Sequence, residues 1–141
     1  MQSVQQIGLD AVAGLRRGGQ AARQVVELYR GDFLPEEPYT DWALRERERL
    51  RGLYLNTLTA WLEEQVRAGA WREGAELARR ILEMEPWLEE VWRALMLCLA
   101  RLGRRSEALH AYQACAHALR EELAVTPSAE TQALYETLKG S

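Results

Sequence analysis

The stretch HAYQACAH, from His110 to His117, contains both histidines of the chain and one of its two cysteines, Cys115. Imidazole and thiol groups this close together could hold a metal ion, or pair a nucleophile with its base. The spacing argues against both. On a helix the two histidines would lie about 10 Å apart along the axis, and Cys115 would point about 140° away from His110. Zinc ligands on one helix are typically four residues apart. We therefore predict no metal site, no cofactor and no histidine-based catalysis.

A structural role explains the same stretch. Ala108, Tyr112, Cys115 and Leu119 follow one another at intervals of four, three and four residues, which is the inward stripe of an amphipathic helix. This pattern predicts that Cys115 is a packed thiol, because buried cysteines behave as small hydrophobic residues. It also places the two histidines on a more exposed flank.

Composition favours a helical protein, and a cytoplasmic location is the default expectation. Apolar residues make up 48% of the 141 residues and charged ones 28%, and Ala, Leu, Glu and Arg dominate. The net charge of −3 gives no electrostatic case for direct nucleic-acid contact. We expect no membrane contact, since neither a signal peptide nor a run of 18 apolar residues is visible. No phosphate-binding loop is present, and no pair of carboxylates stands out as a general acid and base.

Helical periodicity covers nearly the whole chain and predicts its organisation. We expect one domain over residues 1–141, made of an N-terminal helix pair over 3–30, a non-helical connection over 31–40, repeats over about 41–123, and a capping helix over 128–139.

An internal repeat lies in the second half of the chain. The segment LTAWLEEQVRAGAWREGAELARRIL aligns with WRALMLCLARLGRRSEALHAYQACA at an offset of 34 residues. Gly69 then matches Gly103, and Gly74 matches Ala108. Each unit reads as helix, glycine turn, helix, and the small residues would let paired helices approach closely. The pattern predicts an all-α, tetratricopeptide-like, right-handed array of antiparallel helix pairs.

Proline and tryptophan positions give two further expectations. Pro86 suits the first turn of the next helix. The tryptophans are expected in the core, with Trp87 partly exposed; they are Trp42, Trp61, Trp71, Trp87 and Trp92.

Four stretches, in this order, resemble a known family. They are LYRGDFLP from Leu28, W…RERERLR from Trp42, P.LEEVWRALM..LARLGRRSEALHAY from Pro86, and LREELAVTPSAETQALY from Leu119. Together they are similar to the bacterial transcriptional activator domain of the Streptomyces antibiotic regulatory proteins. The resemblance implies a tetratricopeptide-like domain that follows a winged helix-turn-helix in a transcription regulator. It also implies a role in dimerisation, partner contact and transcriptional activation rather than catalysis.

The chain departs from that family in two respects. It carries no winged-helix sequence, so DNA binding is assigned to none of its residues. In EELAV, Ala124 stands where the family usually has glycine, and a left-handed conformation there would cost alanine about 1 kcal/mol. A different turn before Pro127 is the alternative.

The first helices of the two repeat units are expected to face a partner. The candidate contact positions are Asn56, Thr59, Glu63, Glu90, Arg93, Leu97 and Arg101. Arg93 beside Leu97 is the preferred anchor. The partner would be the regulator's own DNA-binding domain, a second protomer in a homodimer, or the transcription machinery.

Several alternatives stay open at this point. The groove along these first helices, in which the partner is expected to bind, could instead be filled by the protein's own termini. The chain could also be a generic tetratricopeptide-type scaffold that binds a peptide or protein, a helical enzyme, or a direct nucleic-acid binder. A winged helix encoded upstream would favour regulation, and further repeats there would favour a scaffold.

Overall fold

The computed structural model describes residues 41–140. The predicted helix pair over 3–30 and the connection over 31–40 lie outside this range. Over the range there are five helices and no strand: α1 Asp41–Ala68, α2 Trp71–Met84, α3 Glu89–Arg101, α4 Arg105–Leu123 and α5 Ala129–Gly140. The all-α class is thereby confirmed. None of these helices is both long enough and apolar enough to cross a membrane.

The described part of the chain divides into two compact units, with the boundary between residues 64 and 65. Most of α1 belongs to the first unit. The periodicity predicts an apolar stripe of Leu50, Tyr54, Leu58, Trp61 and Leu62; all are buried except Trp61, which is half-buried. Thr57 is buried between them, and its hydroxyl donates to the Leu53 carbonyl at 2.7 Å, so this polar side chain costs little to bury.

The second unit contains α2 to α5. Helix α2 packs on α3, α3 packs on α4, and α5 contacts both α3 and α4. Its core includes the side chains of Ala75, Leu77, Ala78, Ile81, Val91, Leu95, Met96, Cys98, Leu99, Ala108, Cys115 and Leu119, each 5% exposed or less. Ala108 is completely buried, which allows α4 to approach its neighbour closely.

The turns after α1 and after α3 have the same backbone geometry. Gly69 has φ +75° and Gly103 has φ +77°, values that residues with a Cβ rarely adopt. In both turns the residue after the glycine donates its N–H to a carbonyl five residues back, from Ala70 to Gln65 at 2.9 Å and from Arg104 to Leu99 at 2.8 Å. This bond closes the helix end as in a Schellman motif. The 34-residue offset seen in the sequence is therefore an offset between equivalent hydrogen bonds.

The prediction that Pro86 opens the next helix is wrong. Helix α3 begins at Glu89, and Pro86 lies in the preceding turn. The indole N–H of Trp92 donates to the Pro86 carbonyl at 2.8 Å, which ties the turn back onto the first residues of α3. The Pro86 carbonyl therefore stabilises the turn before α3 and is not part of the helix.

Two tryptophans lie largely outside the core. Trp87 is 36% exposed, which confirms its predicted partial exposure, whereas Trp42 is 52% exposed and the expectation of a core position there is wrong. Trp61, Trp71 and Trp92 are half-buried.

Ala124 ends α4 in the left-handed conformation, with φ 55° and ψ 37°. Its N–H donates to the Arg120 carbonyl at 3.0 Å, and the N–H of Val125 donates to the Leu119 carbonyl at 3.3 Å. The alternative of a different turn before Pro127 is therefore wrong. The chain keeps the geometry that glycine favours and accepts the steric cost of a Cβ.

Candidate interaction surface

The seven predicted contact positions fall in both units. In the first, Asn56 and Glu63 are exposed and Thr59 is half-buried. In the second, all four positions lie on α3: Glu90 and Arg101 are exposed, while Arg93 and Leu97 are half-buried. The two sets belong to different units, and a single groove that contains both sets remains a prediction.

Arg93, the preferred anchor, contacts α5. Its guanidinium donates to the Thr131 hydroxyl at 2.9 Å and lies 3.6 Å from the carboxylates of both Glu89 and Glu130. The side chain is 23% exposed. At this position the surface of α3 is covered by the protein's own C-terminal helix, which was one of the open alternatives.

Glu89 is the centre of these contacts. Its Oε2 atom accepts from the Ser128 N–H at 2.9 Å, from the Ser128 hydroxyl at 2.5 Å, and from the Thr131 hydroxyl. Burial acts to raise the pKa of Glu89, but the hydrogen bonds from Ser128 and Thr131 and the charge of Arg93 outweigh it, so the pKa lies below its usual value. We call Glu89, Arg93, Ser128, Glu130 and Thr131 the Glu89 cluster.

Sequence reasoning did not identify most of this cluster. Ser128 precedes α5, and its hydroxyl accepts from the Thr131 N–H at 3.4 Å, so the SAET stretch carries a recognisable helix-start signal. Nothing in the local pattern links that helix start to Glu89, which is 39 residues away.

The other end of α5 is held by α4. Arg105 donates from Nε to the Leu138 carbonyl at 2.9 Å and from Nη2 to the Lys139 carbonyl. Tyr112 is half-buried rather than fully inward, because its ring stacks on Tyr135 with centroids 3.9 Å apart and planes 11° from parallel. Helix α5 is thus held at both ends.

A separate exposed feature lies at the end of α3. The Arg101 guanidinium carbon lies 5.7 Å from the centre of the Trp71 ring, a cation–π distance. Leu97 is one turn earlier on the same face of α3. We call Trp71, Leu97 and Arg101 the Trp71–Arg101 edge.

The imidazole and thiol side chains of HAYQACAH do not form a reactive site. His110 and His117 are exposed, and Cys115 is completely buried, which confirms the predicted packing. Burial raises the pKa of Cys115 to about 12, with a smaller contribution from the Glu89 charge that Arg93 opposes, so its thiol is neutral at ordinary pH. Within residues 41–140, no three His, Cys, Asp or Glu residues are grouped closely enough to hold a metal ion.

Comparison with known proteins places the chain in a family. A family model for the bacterial transcriptional activator domain matches residues 6–139. The regulatory protein DnrI of Streptomyces peucetius is 32% identical over 116 residues, covering 82% of this chain and 43% of that protein. The regulatory protein AfsR of Streptomyces coelicolor is 29% identical over 116 residues, covering 82% of this chain and 12% of that protein.

The chain thus spans less than half the length of either relative. No solved structure gives a significant match. With the family model covering nearly the whole sequence, the chain belongs to the bacterial transcriptional activator domain family and is a domain of transcription regulators of the Streptomyces antibiotic regulatory protein type.

Proposed function

We propose that this chain is the protein-interaction and regulatory domain of its transcription regulator, and that it acts by contacting another protein. The partner is the regulator's own DNA-binding domain, a second protomer, or the transcription machinery. Both relatives carry the name of regulatory proteins, and neither is named as an enzyme. The net charge of −3 favours protein contact over direct DNA contact.

The Trp71–Arg101 edge carries the proposal. Arginine and tryptophan are the residue types that most often dominate binding energy at protein interfaces. Here Arg101 is exposed and already placed against the Trp71 ring, while Leu97 adds apolar area beside it. A side chain that is positioned before binding loses less conformational freedom on association.

Arg93 is a less suitable test residue than Arg101. Its hydrogen bond to Thr131 and its ion pairs belong to the contact with α5, so replacing it would disturb the fold. Glu90, also on α3, belongs to the same proposed surface, while Asn56, Thr59 and Glu63 are proposed contact positions of the first unit.

A grafted regulator tests the proposal. The chain would replace the matching segment of the S. peucetius relative, and transcription would be read from a reporter gene under that relative's control. Arg101→Ala, alone and with Leu97→Ala, is expected to lower reporter output several-fold, because truncating an interface anchor typically costs about 1–2 kcal/mol of binding. Arg80→Ala removes another exposed arginine, on α2, and is the matched control.

Protein amounts compared by immunoblot separate loss of contact from loss of fold. Unchanged output in the double variant at equal protein amounts would exclude the Trp71–Arg101 edge. A folded graft without any reporter output would contradict the regulatory role and favour the generic scaffold.

A further inference from the structure

Polar contacts hold both ends of helix α5, and few of its side chains are buried. Only Thr131 and Leu138 of this helix are buried. The Glu89 cluster holds its first turn, and Arg105 holds its last carbonyls. Because Glu89 and Arg93 are four residues apart on α3 and 3.6 Å from each other, they still neutralise one another when α5 leaves. The release of α5 therefore leaves neither of these two charges on α3 unpaired.

The connection between α4 and α5 contains a strained residue. Ala124 is the only non-glycine residue with positive φ in the part of the chain that the structure describes. Ala124 ends α4, and the chain that follows it leads into α5, which contacts α3 and α4 of the same chain. A connection that straightens lets Ala124 return to an ordinary conformation.

Exposed apolar side chains flank the strained residue. Leu123 is 51% exposed and Val125 is 47% exposed. Most other exposed side chains of this region are polar or small, from Arg120 to Glu122 before the connection and from Ser128 to Glu130 after it. Two such connections running past each other would give these apolar side chains a complementary surface in a second copy of the chain.

We propose that α5 is exchanged between two copies of the chain, so that α5 of each copy docks on α3 and α4 of the other through the same contacts. Leu123 and Val125 of the two connections then pack against one another. This rests on the proposed function, in which a second protomer is one of the partners, and it names how that protomer binds. Exchange keeps every contact of α5, which is why swapping an identical element is a low-cost way to form a dimer.

A cross-link between chains tests the exchange. Gln113 Nε2 on α4 lies 3.4 Å from the Tyr135 hydroxyl on α5. One full-length preparation would carry Gln113→Cys and another Tyr135→Cys; the two would be mixed in denaturant, refolded together and treated with a short bismaleimide. The expected product is a covalent pair containing one chain of each kind.

Two controls accompany the cross-link. A single chain with both changes should form the cross-link within itself when it is monomeric, which shows that the reagent can span the distance between positions 113 and 135. The unchanged chain should not react, because Cys98 and Cys115 are both completely buried. A solution mass that stays monomeric at every concentration, or a dimer without the link between chains, overturns the proposal.

Substitutions in the connection give a second test, measured as the dimer dissociation constant in analytical ultracentrifugation. Ala124→Gly relieves the strain of the unexchanged form, and the dissociation constant should rise on the order of ten-fold. Leu123→Ser with Val125→Ser, at exposed positions, should also weaken the dimer and leave the helical content of the monomer unchanged. An unchanged constant in both variants overturns the exchange.

The outcomes separate the two proposals. If the link between chains fails while Arg101→Ala still lowers reporter output, the exchange is wrong and the regulatory interaction stands. If the link forms and Arg101→Ala has no effect, the exchange stands and the Trp71–Arg101 edge is not the contact.

Discussion

Ala124→Gly should stabilise the monomeric chain, although glycine usually destabilises a protein. Ala124 has φ 55° and is exposed, so removing its methyl group loses little packing. The left-handed conformation costs an L-residue about 1–2 kcal/mol, and glycine avoids this cost. The greater conformational freedom of glycine in the unfolded chain offsets about 0.4–1 kcal/mol of this stabilisation.

The net expectation is a rise in the free energy of unfolding of about 0.5–1 kcal/mol, equivalent to roughly 2–4 °C in melting temperature for a chain of this size. Ala114→Gly is the matched control, because Ala114 is also exposed but lies in the middle of α4. There the same substitution should destabilise by about 0.5–1 kcal/mol.

Urea unfolding followed by circular dichroism measures both variants, at protein concentrations low enough to keep the chain monomeric. Opposite signs for the two substitutions are the expected result. If Ala124→Gly destabilises as much as Ala114→Gly does, the end of α4 does not hold a strained alanine, and the strain argument fails.

Further predictions concern the acid range, the thiols and the glycine turns. The pKa of Glu89 is lowered in the folded chain, so the ionised carboxylate contributes fully to the free energy of unfolding above the unfolded pKa near 4.5, and this contribution is lost as the pH falls through the folded pKa. Glu89→Gln should therefore flatten the acid side of the stability–pH curve. An unchanged curve would contradict the role of this carboxylate. Because the Glu89 charge adds to the rise in the pKa of Cys115, Glu89→Gln should increase the labelling rate of Cys115 by a thiol reagent more than that of Cys98, as mass spectrometry can show; equal increases would mean that this charge does not act on Cys115. Gly69→Ala and Gly103→Ala should each cost about 1 kcal/mol in urea unfolding, and a neutral result at either would show that the turn can change its geometry.

Local features of the fold could be predicted from the sequence. The bounds of α1 follow from an apolar stripe that begins after a proline-containing stretch and ends before Gly69. The equivalence of Gly69 and Gly103 follows from the repeat, because both mark a backbone conformation that few other residues adopt. The start of α3 was less predictable, since Pro86 is compatible with both a turn and a first helical turn.

The contact between Arg93 and α5 could not be predicted in the same way. Periodicity places Arg93 on the outward side of α3, but it does not say which element lies over that side. The answer depends on Thr131, which is 38 residues later in the chain. Polar contacts of this kind leave no apolar pattern in either helix, so only the three-dimensional structure brings Glu89, Arg93 and Thr131 together.

The contact between Arg105 and α5 has a practical consequence for anyone who shortens this protein. The guanidinium of Arg105 donates to the carbonyls of both Leu138 and Lys139. A truncation before Leu138 would remove both acceptors together with the buried Leu138 side chain, and it would leave Arg105 without these hydrogen bonds. Shortened versions of the protein should therefore keep every residue through Lys139.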